Sequence, residues 1–292
     1  MIEQRKQKAS AKLTVKDAFQ FLKELQPNSV DLLVSSPPYF MGKEYDTSLR
    51  VEDFVECHKR LLPLLFRALK PGGSLCWQVG HHVRNGVVTP LDALVYSVFG
   101  TEADLHLRNR IIWTFGHGAH AKTRFSGRHE TVLWYSKGMK SYFDLDAVRV
   151  RQKYPGKRHY KGPKKGEWSG NPSGKNPSDV WDIPNVKAGH IEKMDHPCQF
   201  PVALVQRLVR ALCPPGGLVV DPFMGVGSSA VAAILEERHF SGCDTSKAYV
   251  ATALGRIGKL RAGKLQVRPL NKPVYTPSGR EKVSIMPPHF NS

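Results

Sequence analysis

The chain of 292 residues can bury one large core, or one core with a small accessory lobe. Its hydrophobic fraction of 41% and aromatic fraction of 9% are ordinary for a soluble globular protein, while 43 Lys+Arg against 25 Asp+Glu, a net +18, suit a polyanionic partner. No stretch approaches the roughly 20 apolar residues that cross a bilayer, Met1 to Lys12 are polar and basic rather than a signal region, and the five scattered cysteines form no C-x-x-C pair. A membrane partner, a disulfide framework and a zinc site are therefore disfavoured, and a cytoplasmic, bacterial or phage-type protein with reduced thiols is expected.

In chain order, residues 13–137 and 196–258 alternate strand-like apolar runs with helix-like periodic segments, which predicts an α/β domain with a parallel sheet. The first strand, over 30–34, runs into Val34-Ser35-Ser36-Pro37-Pro38-Tyr39-Phe40. Two prolines stop the strand and stiffen its exit, because each fixes φ and lacks an N–H donor; Ser36 is pushed toward an extended conformation by the proline after it. The product is a rigid hook at a strand's carboxyl end, where open α/β sheets bind ligands. It offers a hydroxyl, carbonyls without helical partners and an aromatic face, a combination suited to a flat base bearing an amino group.

A helix over 54–69 and strands over 74–79, 111–115 and 131–135 follow. The histidines at 81, 82, 117 and 120 lack metal-ligand spacing and read as loop or pocket residues. Composition then changes sharply. Residues 149–178 carry Arg149, Arg151, Lys153, Lys157, Arg158, Lys161, Lys164, Lys165 and Lys175, with Tyr154, Tyr160 and Trp168 interleaved, and Glu167 as their sole acid. This reads as a basic insertion on the fold, with charges placed for phosphates. Asn171, Lys175, Asn176 and the arginines are candidate base readers that the sequence alone does not sort.

The α/β pattern resumes with a helix over 202–212, a strand over 217–220, a helix over 228–236 and a strand over 240–243; the tail after Gly258 is basic, poor in apolar runs, and reads as a partly disordered arm. Between the last two strands lies Asp221-Pro222-Phe223-Met224-Gly225-Val226-Gly227-Ser228. Glycines at a strand-to-helix turn let backbone N–H groups approach a ligand, and the helix N-terminus favours negative charge there. Asp244 ends the next strand, about twenty residues past the glycines, where an acid accepts hydrogen bonds from ribose hydroxyls. A nucleoside-bearing cofactor is the reading. Ala230 stands where the dinucleotide fingerprint has glycine or alanine, so the glycines alone do not exclude NAD.

The Asp221-Pro222-Phe223-x-Gly225-x-Gly227 turn, taken with Ser36-Pro37-Pro38-Tyr39, resembles the S-adenosylmethionine-dependent DNA amino-methyltransferases, and the order of the two motifs resembles their β class. Protein- and RNA-modifying methyltransferases with Pro-Pro-Tyr hooks usually carry the glycine motif upstream. The resemblance covers most of residues 13–258 and implies a Rossmann-like methyltransferase fold: a mostly parallel seven-stranded sheet, helices on both faces, and a small basic insertion. It divides the chain into a catalytic half (13–139), a target-recognition insertion (140–190), a cofactor half (191–258) and a tail (259–292). The cofactor implied is S-adenosylmethionine. Asp17 and Ala18 resemble the adenine-binding turn, although Lys16 stands where glycine is usual. His196-Pro197-Cys198-Gln199-Phe200-Pro201 resembles the segment wrapping the methionine end, with Phe200 where the family often has Lys. Asp221, Phe223, Gly225, Gly227 and Ser228 form the glycine motif, and Asp244 and Thr245 the ribose motif. Arg124 to Trp134, with His129 and Glu130, resembles a motif lining the target-base pocket.

The expected reaction is N-methylation of an exocyclic amine in duplex DNA after base flipping, with Ser36 Oγ and the Pro37 carbonyl accepting the two amine N–H bonds and Tyr39 stacking on the base. Serine at position 36 is commoner among cytosine-N4 members; the Arg124-Phe125-Ser126-Gly127-Arg128-His129-Glu130-Thr131 stretch looks more like the adenine-N6 members, and the sequence reading leans narrowly to adenine. The rivals are an RNA amino-methyltransferase and a catalytically silent DNA-binding protein. A homodimer and a cognate restriction endonuclease are partners the resemblance leaves open.

Overall fold

The computed structural model describes residues 9–39, 50–116, 118, 120–276, 278, 279, 281 and 285–287. Phe40 and His117 of the sequence reading lie outside the described residues. From one edge the main sheet runs β1 (Ala11–Val15), β10 (His239–Asp244), β9 (Leu218–Asp221), β2 (Val30–Ser35), β3 (Leu69–Val79), β7 (His129–Lys137), β6 (Leu105–Thr114) and β8 (Val180–Asp182). The first five are parallel, β7 is antiparallel to both neighbours, and β8 is parallel to β6. The Rossmann-like class holds, but the sheet has eight strands rather than seven. The extra one comes from within the segment read as an insertion. Three residues are too few to show alternation, and the strand is fixed by tertiary contacts: Trp181 is buried, and its carbonyl accepts the Thr114 hydroxyl of β6 at 3.2 Å.

The central strands are apolar on both faces because both are covered. Leu32, Val34 and Val219 point to the layer of α4 (Val202–Leu212), α5 (Ser228–Leu235) and α6 (Lys247–Arg261). Leu33, Leu75 and Val220 point to the layer of α1 (Ala18–Glu24), α2 (Val51–Ala68) and α3 (Leu91–Phe99). A small hairpin of β4 (His81–Arg84) and β5 (Val87–Pro90) follows β3. Among the described residues no helix is long and apolar enough to cross a membrane.

Two buried polar groups join distant segments. His58, fully buried on α2, accepts a hydrogen bond from Trp77 Nε1 on its Nε2 at 3.0 Å and donates from Nδ1 to Phe54 O at 2.7 Å. Trp77 can only donate, so the ring is the neutral Nδ1–H tautomer. Glu192, 1% exposed, accepts from Val202 N at the start of α4 and from Arg268 N, each at 2.9 Å. The tail is thereby tied down. Leu265, Val267 and Leu270 pack on the core, which corrects the expectation of a loose arm for this stretch.

Burial holds the His58 pKa at about 4, against 6.5 for the ordinary side chain. Between those values the unfolded chain binds the extra proton and the native one does not, so this contribution is complete above pH 6.5 and is lost as pH falls through 4. It amounts to about 3 kcal/mol, or about 1.4 kcal/mol per pH unit in the window. Urea unfolding between pH 7 and 5 will show this slope, and His58→Gln, which keeps a donor and an acceptor without titrating, will flatten it; an unchanged slope in the variant rules the assignment out.

Candidate active site

The carboxyl ends of β1, β10, β9, β2 and β3, with the adjoining ends of β6 and β7, converge on one cavity of about 950 Å³. Chain order reverses between β9 and β2, the point at which open α/β sheets bind their ligands. The hook follows β2 directly: Ser36, Pro37, Pro38 and Tyr39 all line the cavity.

The hook is tethered from beneath. Ser35, the last residue of β2, donates its hydroxyl to Asp221 Oδ1 at 2.5 Å, while Ser229 Oγ donates to Asp221 Oδ2 at 2.5 Å and Phe223 N to Oδ1 at 3.0 Å. Asp221 is fully buried, and burial raises its pKa to about 6 against the opposing effect of these bonds. It does not line the cavity. Its carboxylate joins the hook strand, the glycine turn and the first turn of α5.

The glycine turn itself is shaped by close approach. Gly225 has φ +51°, and a Cβ there would come within 2.9 Å of His196 Nε2; Gly227, the N-cap of α5 at φ +76°, would meet Ala253 Cβ at 2.7 Å. Arg256 on α6 closes the turn from below, donating from Nη1 to Val226 O at 2.7 Å. Asp244 accepts Gly225 N on Oδ2 at 3.1 Å and Ser246 N on Oδ1 at 2.8 Å; each oxygen keeps a lone pair for a ligand, and burial raises its pKa. His196 lies against Tyr249 with ring centroids 4.7 Å apart, and its Nδ1 accepts Cys198 N at 3.2 Å. Burial first, then Lys193, lowers its pKa to about 4, so the ring is neutral with its proton on Nε2.

Across the cavity, Tyr39 is clamped by its hydroxyl, which accepts Gly80 N at 2.8 Å and Gln78 Nε2 at 3.3 Å. Gln78 also donates to Glu130 Oε2 at 2.5 Å. Burial, with the Glu130 charge second, raises the Tyr39 pKa well above the usual phenol value. Trp113 and Phe115 line the same side, 5.3 Å apart between ring centroids.

Of the sequence-derived cofactor candidates, Asp17, Ala18, Gln199, Phe200, Phe223, Gly225, Ser228, Asp244 and Thr245 line this cavity. Asp17 also caps α1, accepting Phe19 N and Gln20 N. Pro201 and Gly227 instead start α4 and α5 as N-cap residues. Glu130 lines the cavity and His129 does not; it is exposed beside His81, 6.3 Å between rings. The basic segment stands apart from the cavity. Arg151, Lys153, Lys164 and Lys165 are exposed, and Arg158 stacks on Trp168 at 3.7 Å. Arg149 donates to Asp146 at 2.6 Å and to Gly174 O at 3.0 Å, bonds that brace the segment. His81, read from the sequence as a loop or pocket residue, and Tyr249, at the end of the stretch resembling the ribose motif, both line the cavity. Gln78 and Trp113 line it too and were not singled out in the sequence; Gln78 carried a signal, as a glutamine near the carboxyl end of an otherwise buried strand.

If Asp221 acts through its hydrogen bonds, the isosteric Asp221→Asn will stay within about 1 kcal/mol of the parent, since Ser35 and Ser229 hydroxyls can each donate or accept. Asp221→Ala will lose about 3 kcal/mol or more by orphaning three buried donors. Urea unfolding of the two variants decides it, and equal losses would refute the bonding role.

Residues 30–255 match the DNA methylase family of the N6/N4 methyltransferase type. The Type II methyltransferase M.BglII of Bacillus subtilis is 42% identical over 238 residues, 81% of this chain and 66% of that protein. The Type II methyltransferase M.ScaI of Streptomyces caespitosus is 34% identical over 249 residues, 82% of this chain and 79% of that protein. Among solved structures, the cytosine-N4-specific PvuII DNA methyltransferase superposes with a TM-score of 0.68 at 21% identity, over 84% of this chain and 86% of its own, a likeness of fold. A DNA modification methylase of Thermus thermophilus, in complex with S-adenosyl-L-methionine, superposes with a TM-score of 0.61 at 25% identity, over 85% of this chain and 93% of its own. With this cavity, hook and glycine turn, the chain belongs to the N6/N4 DNA methylase family and is an S-adenosylmethionine-dependent DNA amino-methyltransferase of the β class.

Proposed function

We propose that the enzyme methylates the N4 amino group of cytosine at a specific site in duplex DNA, taking the base out of the stack into the cavity beside Ser36. The observation that carries the choice of base is the split fate of the two competing motifs. Ser36, the residue typical of cytosine-N4 members, lines the cavity. Of the stretch resembling adenine members, only Glu130 lines it, while Phe125 and His129 face solvent. Adenine N6 is the second reading, supported by that Glu130.

The residues fit S-adenosylmethionine. Gly225 leaves a cradle that a Cβ would fill, Asp244 and Thr245 would hold the ribose, Asp17 and Ala18 the adenine, and His196 to Phe200 the methionine end. When bound, the cofactor supplies an electrophilic methyl group. The chain's own part is to position and to exclude water. Ser36 Oγ and the Pro37 carbonyl accept the amine's two N–H bonds, drawing its lone pair out of conjugation, and the clamped Tyr39 offers its ring face to the base. The exposed Arg151, Lys153, Lys164 and Lys165 give salt-dependent affinity for the backbone.

Incubation with DNA and labelled S-adenosylmethionine should yield N4-methylcytosine on nucleoside analysis; N6-methyladenine would select the second reading, and label in RNA alone would reject DNA as substrate. Ser36→Ala should slow methyl transfer by about 10- to 1,000-fold with cofactor affinity retained. An unchanged rate would remove Ser36 from the mechanism. Replacing Lys164 and Lys165 together by alanine should reduce the log–log salt slope of DNA binding by about 1.8 if both meet phosphates; an unchanged slope would place the interface elsewhere.

A further inference from the structure

Between β6 and β7, the described residues 120–128 carry an unusual side chain. Phe125 is 100% exposed, the most exposed large apolar side chain among the described residues. The loop beneath it is built, not slack: Phe115 N donates to Arg128 O at 3.0 Å, Ala121 N to Ser126 Oγ at 3.0 Å, and Arg124 Nη1 to Phe125 O at 3.0 Å. Gly127, two residues on, lies so near the cavity-lining His81 that a Cβ would come within 2.6 Å of that ring. Two residues span at most about 7 Å, so Phe125 stands at the rim of the cavity.

Its electrostatic setting points to a polyanion. Residues 105–129 contain no acidic side chain, and Lys122, Arg124 and Arg128 lie within three residues of Phe125 in the chain. An aromatic ring held in water by a basic, hydrogen-bonded loop gains nothing from the fold. It gains on meeting apolar surface among phosphates, and the interior of a base stack is such a surface. A base extruded into the cavity leaves a gap in the duplex directly over this rim, with an unstacked partner base beside it.

We propose that Phe125 is an intercalating wedge, entering the duplex as the target base leaves and stacking in the vacated space; this rests on the base-flipping reading above. Lys122, Arg124 and Arg128 hold the flanking phosphates while the ring is inserted. The wedge offsets the unstacking cost of extrusion, so its removal should matter most where the target is fully paired, and least where pairing is already absent.

The target is first located by sequencing DNA methylated by the parent enzyme. Single-turnover methylation is then measured on two duplexes carrying it, one matched and one with an abasic site opposite the target base, and 2-aminopurine beside the target reports unstacking. Phe125→Ala should slow transfer on the matched duplex on the order of 10- to 100-fold, stay within about threefold of the parent on the abasic-opposed duplex, and leave thermal unfolding and cofactor affinity unchanged. Phe125→Trp should keep the parental pattern. Parental rates for Phe125→Ala on the matched duplex, or equal slowing on both duplexes, would overturn the wedge while base flipping stands. A parent enzyme that methylates the target without brightening 2-aminopurine would instead overturn base flipping, and the wedge with it.

Discussion

The hydrogen bond from Ser35 to Asp221 is the constraint on which the site depends. It crosses from β2 to β9 where chain order reverses, joining residues 186 apart in sequence. One side of it carries the Ser36–Tyr39 hook, the other the glycine turn. Because Asp221 also takes Ser229 Oγ and Phe223 N, a single buried carboxylate sets the spacing between the residues that would hold the reacting amine and those that would hold the methyl donor. In-line transfer tolerates little error in that spacing. The carboxylate is costly to bury, and its three bonds are what make the burial tolerable.

A second tie acts at the other side of the cavity. Glu130 is bonded by Gln78, which also bonds the Tyr39 hydroxyl, so β7, β3 and the hook form one connected network. The hook is thus held at both ends, through its first residue's neighbour Ser35 and through Tyr39. Rigidity that two prolines supply along the chain is completed by polar contacts across the sheet.

Much of this was legible in the sequence because it is local. The hook, the glycine turn and the acid at the end of β10 are short runs whose chemistry follows from residue type at a strand terminus, and the helix over Val202–Leu212 was readable to the residue from its periodicity. What escaped was set by distance. Nothing near Asp221 in the sequence shows that its carboxylate will accept the Ser35 hydroxyl from a strand 186 residues away. Arg149 looked like the other arginines until Asp146 and the Gly174 carbonyl occupied it. The strand β8 has no pattern of its own and exists because β6 offers it an edge, with Trp113 Nε1 donating to Ile183 O at 2.7 Å.

The two ends of the described chain are stitched late into this architecture, and that orders its assembly on the ribosome. The edge strand β1 has no partner until β10 emerges more than two hundred residues afterwards. Glu192 cannot complete its pair of bonds, which brace the start of α4 and the loop carrying His196 and Gln199, until Arg268 has been made. Pairings of such long separation form slowly and last. A nascent chain therefore carries its hook strand early, but the side of the cavity built on β10 and α4 is completed only after β10 and Arg268 have been made, so a chain short of them has no completed pocket.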